Sequence, residues 1–261
     1  MQQSGPIHLV QLTDTHLYSD AAATLHGVNT AISFARVLDA VAQRNRQPAA
    51  VLATGDLSQD GSRASYERFR SLLDALNSPV LCLPGNHDKP AAMREVLDAG
   101  RYRYCQTEWF GGWCLPMLNT FSAGRAGGHL SPQSLKDLGQ LLAECSGYHV
   151  LICLHHHPVA MNSRWLDSVG LDNGDDFLKL IAEAPNVRGV VWGHVHQEFD
   201  ETRDGVRFLA SPSTCFQFLP RADEFALDSL PAGYRFIDLE ADGSIQTGVT
   251  WLDDGREHTD E

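Results

Sequence analysis

Apolar strand-like runs alternate with amphipathic helical stretches along the chain, which predicts an α/β fold. Strand-like runs then dominate the carboxyl-terminal part, which implies a second sheet packed on the first. No Pro/Gly/Ser-rich linker, low-complexity tract or repeat of fixed period interrupts the 261 residues. One domain over residues 1–252 is therefore expected, followed by an acidic tail, 253–261, expected to be disordered.

Residues 7–12 read as a strand that stops abruptly at Thr13-Asp14-Thr15-His16. Asn29 can cap a helix running to about Gln43, with Ile32, Phe34, Val37, Leu38 and Val41 near helical spacing. Residues 49–53 form a short buried strand that ends on Thr54-Gly55-Asp56, and 62–76 a second amphipathic helix. A third strand, 79–83, leads straight into Pro84-Gly85-Asn86-His87-Asp88. Residues 89–98 read as helix and 113–119 as strand; Ser131-Pro132 then opens a helix with a cap and a first-turn proline. Strand 149–154 ends in His155-His156-His157-Pro158, helix 175–184 follows, and strand 187–192 ends in Gly193-His194-Val195-His196. Further strands are expected near 207–210, 234–239 and 245–251.

The balance of 20 Lys+Arg against 33 Asp+Glu leaves a net charge of −13 and no basic block. Such a chain is a poor binder of nucleic acid polymers or anionic membrane. Residues 1–6 lack the basic and apolar regions of a secretory signal, and no run reaches the roughly 18 apolar residues of a membrane span. The six cysteines show neither CxxC spacing nor disulfide-scaffold density, so they are expected to be reduced thiols of a cytoplasmic protein.

Five strand-like runs thus end in residues with metal-ligand chemistry, namely Asp14/His16, Asp56, Asn86/His87, His155/His156 and His194/His196. In α/β sheets, ligands bind outside the carboxyl ends of the strands. Seven of the twelve histidines fall in these motifs, counting His157. The groups are too many for one ion, whereas two ions sharing a bridging carboxylate would use nearly all of them. No cysteine takes part, which opposes a thiolate structural zinc site, and mixed N/O donors suit Fe, Mn, Co or Zn. Two such ions contribute about +4; two aspartates and a bridging hydroxide leave about +1, which suits an anionic substrate. A carboxylate in place of Asn86 would cancel that charge.

Asp14-Thr15-His16, Gly55-Asp56, Gly85-Asn86-His87-Asp88, His155-His156 and Gly193-His194-Val195-His196 resemble, in order, the motif set of the calcineurin-like metallophosphoesterases. Residues 211–218 (Ser-Pro-Ser-Thr-Cys-Phe-Gln-Phe) with 231–235 (Pro-Ala-Gly-Tyr-Arg) look like the bacterial class III 3′,5′-cyclic AMP phosphodiesterases of that superfamily. The resemblance implies a four-layer α/β/β/α sandwich of two mixed sheets flanked by helices. It implies that Asp14, His16, Asp56 and His196 hold one metal and that Asp56, Asn86, His155 and His194 hold the other, with Asp56 bridging. Fe²⁺ or Mn²⁺ is favoured, with Zn²⁺ also compatible. His87, Asp56 and Asn86 are then expected to act in catalysis, and His16, Asp56, Asn86, His87, His156 and His196 to face substrate. His155, first after its strand, is taken as the ligand and His156 as turned toward substrate. His87 would donate to a phosphoryl oxygen or protonate the leaving O3′, and Asp88 would orient it.

The implied reaction is hydrolysis of 3′,5′-cyclic AMP to 5′-AMP by attack of a metal-bound hydroxide. The alternatives are a broader phosphodiesterase acting on glycerophosphodiesters or 2′,3′-cyclic nucleotides, and a non-catalytic interaction scaffold of the same fold. His8, His26, His129, His149, His157 and His258 are read as structural or solvated, and Arg125 and Arg221 as solvated. Trp165, Phe216 and Phe218 are candidates for an adenine pocket or for core packing. The sequence leaves the native metal pair, the base preference and the oligomeric state open.

Overall fold

The computed structural model describes residues 5–44 and 46–253. The amino-terminal third runs β1 (Ile7–Leu12), β2 (Thr24–Leu25), β3 (Val28–Asn29), α1 (Thr30–Gln43), β4 (Ala50–Ala53), α2 (Arg63–Leu73), β5 (Val80–Cys82) and α3 (Pro90–Leu97). The middle runs β6 (Tyr102–Tyr104), β7 (Thr107–Phe110), β8 (Trp113–Pro116), α4 (Pro132–Glu144), β9 (His149–Cys153), α5 (Arg164–Asp167), α6 (Gly174–Ala182) and β10 (Val187–Trp192). The rest is β11 (Phe199–Arg203), β12 (Val206–Ala210), β13 (Gln217–Phe218), β14 (Leu227–Asp228), β15 (Gly233–Leu239) and β16 (Ile245–Trp251). Beyond Asp253 the expected acidic tail lies outside the described residues.

The strands form two six-stranded mixed sheets, β16-β15-β1-β4-β5-β6 and β11-β12-β10-β9-β8-β7. In the first, β1, β4, β5 and β6 are parallel and β15 and β16 are antiparallel additions. In the second, β8, β9, β10 and β12 are parallel, with β7 and β11 as antiparallel edges. Successive residues of a strand point to opposite faces, and here both faces are buried. Leu9, Leu52 and Leu81 meet Leu151, Val191 and Leu209 between the sheets. Val10, Val51 and Val80 point the other way, under Phe34, Val37, Phe69 and Met93 of α1, α2 and α3. Val150, Ile152 and Val190 likewise pack under Leu138, Leu142, Phe177 and Ile181 of α4 and α6. The result is the expected α/β/β/α layering. Burying each such side chain is worth about 1.5–3 kcal/mol, and a one-residue slip would turn the whole set to the wrong face, so the register is strongly specified.

The helix starts follow their caps. Asn29 accepts from Ile32 N, Ser62 from Ser65 N and Ser131 from Ser134 N, and Pro132 occupies the first turn of α4. Most boundaries fall within a residue of expectation, and three differ by more at one end. α2 stops at Leu73, β8 stops at Pro116 rather than Asn119, and α6 spans Gly174–Ala182. The strands absent from the sequence reading are β6, β7 and β11 and the two short hairpins. β11 (Phe-Asp-Glu-Thr-Arg) is a largely exposed edge strand, so it carries no apolar alternation to read.

Candidate metal centre

The loops after β1, β4, β5, β9 and β10 converge at the carboxyl ends of the parallel strands, three from one sheet and two from the other. Five of the seven candidate ligands sit in the left-handed backbone region, with φ of 54° at Asp14, 44° at His16, 49° at Asp56, 68° at His194 and 47° at His196. This costs roughly 1–3 kcal/mol per residue and persists only where the surroundings over-determine it. Here the loops zip together beyond their strands. Asp14 N donates to Gly55 O (3.0 Å), His16 N to Asp56 O (2.9 Å) and Leu17 N to Leu57 O (3.1 Å). A side chain at Gly85 would overlap Asp56 Oδ1 and His155 Nε2, and one at Gly193 would overlap Thr13 Oγ1 and Asp14 Oδ2. Both glycines are therefore required by close approach.

Each histidine is aimed by the atom on its far side. His16 Nδ1 bonds Gln59 Oε1 (2.7 Å), His155 Nδ1 bonds Thr54 O (2.8 Å) and His196 Nδ1 bonds Phe216 O (2.8 Å). A carbonyl oxygen only accepts, so these Nδ1 atoms carry hydrogen and the Nε2 lone pairs turn inward. Those lone pairs face one another and other acceptors. His16 Nε2 is 3.2 Å from His196 Nε2, and His155 Nε2 is 3.2 Å from Asn86 Oδ1 and 3.3 Å from Asp56 Oδ2. His196 Nε2 is 3.5 Å from Asp14 Oδ1, and His16 Nε2 is 3.9 Å from Asp56 Oδ2. His194 is turned the other way, its Nε2 donating to Val169 O (3.0 Å), which leaves Nδ1 as its acceptor. Acceptors gathered this closely repel unless a proton or a cation lies among them.

The ligand atoms of Asp14, His16 and His196 lie within 4.8 Å of one another, as do those of Asp14, Asp56 and His155. Six of the seven candidates are buried and Asn86 is half-buried. The donor set fits two borderline divalent ions, with Asp14 common to these two groups and Asp56 also close to His16 and His87.

The charges are strongly coupled. Burial alone would raise Asp14 and Asp56, but His196 beside Asp14, and His155 with His87 and His16 around Asp56, hold both carboxyls below the usual range. Burial lowers His16 to about 4 against the pull of Asp56. It lowers His194 as well, helped by the neighbouring His156 and His155. His155 goes the other way. Burial opposes its charge, yet Asp56 and Asp14 lift it to about 9, so without a cation a proton sits between His155 and Asp56.

Two expectations are corrected. His156 does not face substrate. It is fully buried, its Nε2 donates to Ala126 O (3.2 Å) and its Nδ1 meets Thr120 Oγ1 (2.7 Å). Burial, with His155 nearby, holds it neutral, and it does not line the cavity beside the candidate centre, although its ring lies close enough to His155 and His194 for the three to form a group of ligand atoms. Asp88 does not orient His87. Its carboxylate accepts from Gly85 N (2.9 Å), Ser58 N (3.0 Å) and Tyr66 Oη (3.0 Å), clamping the β4 and β5 loops together. His87 is exposed at the mouth, its ring centroid 5.0 Å from that of His16 and its backbone N–H on Asp56 Oδ1 (2.8 Å).

Several supports carry no side-chain signature in the sequence, above all the carbonyls of Thr54, Val169 and Phe216. The segment 211–218, striking the eye only as a motif, props the β1 loop through Ser213 Oγ on Asp14 O (2.8 Å). Arg125 is paired with Asp172 (2.8 Å), which also holds His129 (2.6 Å). The centre opens into a cavity of about 350 Å³ whose far wall includes His26, Trp165, Phe216, Phe218 and Phe225.

The sequence pattern of the calcineurin-like phosphoesterase family matches residues 7–198. The chain is 40% identical over 246 residues to the 3′,5′-cyclic adenosine monophosphate phosphodiesterase CpdA of Pseudomonas aeruginosa, covering 94% of this chain and 90% of that one. It is 37% identical over 251 residues to the enzyme of the same name from Escherichia coli K12, covering 96% and 91%. A dimetal phosphatase from Danio rerio superposes with a TM-score of 0.64 at 15% identity, covering 89% of this chain and 95% of the other. That last likeness speaks to the fold alone.

Proposed function

The chain belongs to the calcineurin-like phosphoesterase family, and from that premise we propose that it hydrolyses 3′,5′-cyclic AMP to 5′-AMP. It is a metal-dependent phosphodiesterase with a dinuclear divalent centre. The observation that carries the substrate is likeness to cyclic AMP phosphodiesterases over nearly the whole chain, including the segment beyond the metal motifs. Asp14, His16, Asp56 and His196 would hold one ion, and Asp56, Asn86, His155 and His194 the other. Fe²⁺ or Mn²⁺ suits this set of imidazole and oxygen donors, and Zn²⁺ is compatible with it. When bound, the ions activate water at neutral pH and neutralise the phosphoryl oxygens.

The chain's own groups do the rest. The left-handed loops hold Asp14 and Asp56 where they would fix cations beside an anionic phosphate diester, and the neutral Asn86 contributes an oxygen without a further negative charge. His87, exposed at the mouth and tethered through its N–H to Asp56, would bind a phosphoryl oxygen and hold the proton that O3′ needs on leaving. His16 and His196 would flank the phosphate. Because both sheets supply ligands, we take residues 1–252 to act as one unit. The six free thiols favour a cytoplasmic setting. Among the described residues no helix is long and apolar enough to cross a membrane.

The test is turnover of 3′,5′-cyclic AMP by Mn²⁺- or Fe²⁺-loaded protein beside chelator-stripped protein, with the AMP isomers separated. Metal-dependent 5′-AMP is expected. Cleavage of bis-p-nitrophenyl phosphate without any AMP would replace this reading with a broader phosphodiesterase, and silence on both substrates with metals bound would favour a scaffold. His87→Ala should lower kcat by about 10²–10⁴-fold while metal content stays; parallel loss of metal would remove its assigned role.

A further inference from the structure

Opposite the metal groups, the cavity wall comes from elements that contribute no candidate ligand: α5, the β2–β3 hairpin and the segment around β13–β14. Its rings form a closed circuit that begins and ends at a candidate metal ligand. His196 lies flat on Phe218 (centroids 4.1 Å, 18°), Phe218 meets Phe225 (5.4 Å), Phe225 meets His26 (5.4 Å), His26 meets Phe216 (4.9 Å) and Phe216 returns to His196 (4.9 Å). Trp165 stands edge-on to both Phe218 (5.0 Å) and Phe225 (5.4 Å). Among the described residues no lysine or arginine lines the cavity, so this side does not suit a second phosphate or a polynucleotide backbone. Its polar side chains away from the ligands and His87 are His26 and Gln59, and Gln59 Oε1 already holds His16. Phe225, which lines the cavity, is 50% exposed, apolar ring area open to a flat group entering there.

We propose that Trp165, Phe218 and Phe225, closed off by His26 and Phe216, form the wall on which the substrate's purine base stacks. These residues set KM for base-bearing substrates and take no part in bond breaking. The inference rests on the cyclic nucleotide reading above. Stacking of a base on an aromatic side chain is typically worth about ten- to a hundredfold in binding when the ring is removed.

Mn²⁺-loaded wild type, Trp165→Ala and Phe225→Ala are compared on 3′,5′-cyclic AMP and on the same ribose cyclic phosphate lacking a base at C1′. The variants should raise KM for cyclic AMP about tenfold or more with kcat within about threefold, and lose far less on the base-free compound. Equal losses on both compounds, or an unmoved KM in both variants, would overturn the wall. Should Trp165→Ala fail to fold, the half-exposed Phe225 carries the comparison. A second measurement needs neither metal nor turnover. Adenosine added to chelator-treated protein should quench the emission of Trp165, identified by its loss in Trp165→Phe, and Phe225→Ala should raise the midpoint about tenfold. No quench overturns the wall whatever the activity; a quench without cyclic AMP turnover keeps the wall and overturns the functional reading instead.

Discussion

On the metal side of the cavity, His16, His155, His194 and His196 are each tied by a hydrogen bond on the far ring nitrogen, and three of them also stand on left-handed backbone. On the facing side the rings of Trp165, Phe218 and Phe225 hold to one another at 5.0–5.4 Å, and Phe225 is half in solvent. The difference follows from what each side must do. Acceptor atoms that repel must be kept together before a cation arrives, which takes stored strain and a rigid second layer of hydrogen bonds. A flat apolar group needs only area, and ring edges supply that without strain.

Breaking the metal side at its shared atom should give the largest effect. Asp56→Ala removes the carboxylate proposed to bridge the two ions, so metal content should fall at both positions. Activity should drop beyond the roughly 10–100-fold that loss of an outer support costs, read by elemental analysis beside kinetics. Retention of both metals would show that Asp56 does not bridge.

His156→Ala probes the layer beneath. It strands Thr120 Oγ1 and Ala126 O and leaves a void, so it should destabilise by about 2–4 kcal/mol in denaturant unfolding while metal stoichiometry holds. Loss of metal with unchanged stability would show that His156 contributes to the metal centre.

The His155–Asp56 proton gives a pH signature. The His155 pKa is raised from its ordinary 6.5 to about 9 in the folded, metal-free protein. Its contribution is therefore fully present below about 6.5 and lost as pH rises through about 9. Chelated protein should lose up to about 3 kcal/mol across that window, and His155→Gln should flatten the curve. His16 and His194, pushed down by burial, are neutral throughout the window and add no slope there. A flat profile in the chelated wild type would mean that the pair shares no proton.

The aromatic side should give the smallest stability effect. Phe225→Ala, on a ring half in solvent, should change unfolding free energy by no more than about 0.5 kcal/mol, whatever it does to KM. A loss of several kcal/mol would make the hairpin part of the core rather than a rim.

Local pattern made much of this molecule legible. The apolar runs at 7–12, 49–53, 79–83, 149–154 and 187–192 announce buried strands, because a strand covered on both faces must be apolar throughout. The polar motif at the end of each run marks the side of the sheets where a ligand would sit, and Asn29, Ser62 and Ser131 mark helix starts by their side-chain chemistry. Tertiary structure alone decided the rest. Which of the adjacent His155 and His156 turns inward depends on Thr54 O and on Thr120 and Ala126, residues 30 to 101 positions away. Asp88 reads as a partner for its neighbour His87, yet it is spent on the amides of Gly85 and Ser58 and on the Tyr66 hydroxyl. Carbonyl anchors such as Phe216 O and Val169 O belong to the backbone that every residue shares. The Phe225–His26 contact joins two hairpins with no apolar alternation of their own. Periodicity and residue type record what a segment buries, whereas the aim of a ring and the partner of a carboxylate are set by atoms that only the folded chain brings near.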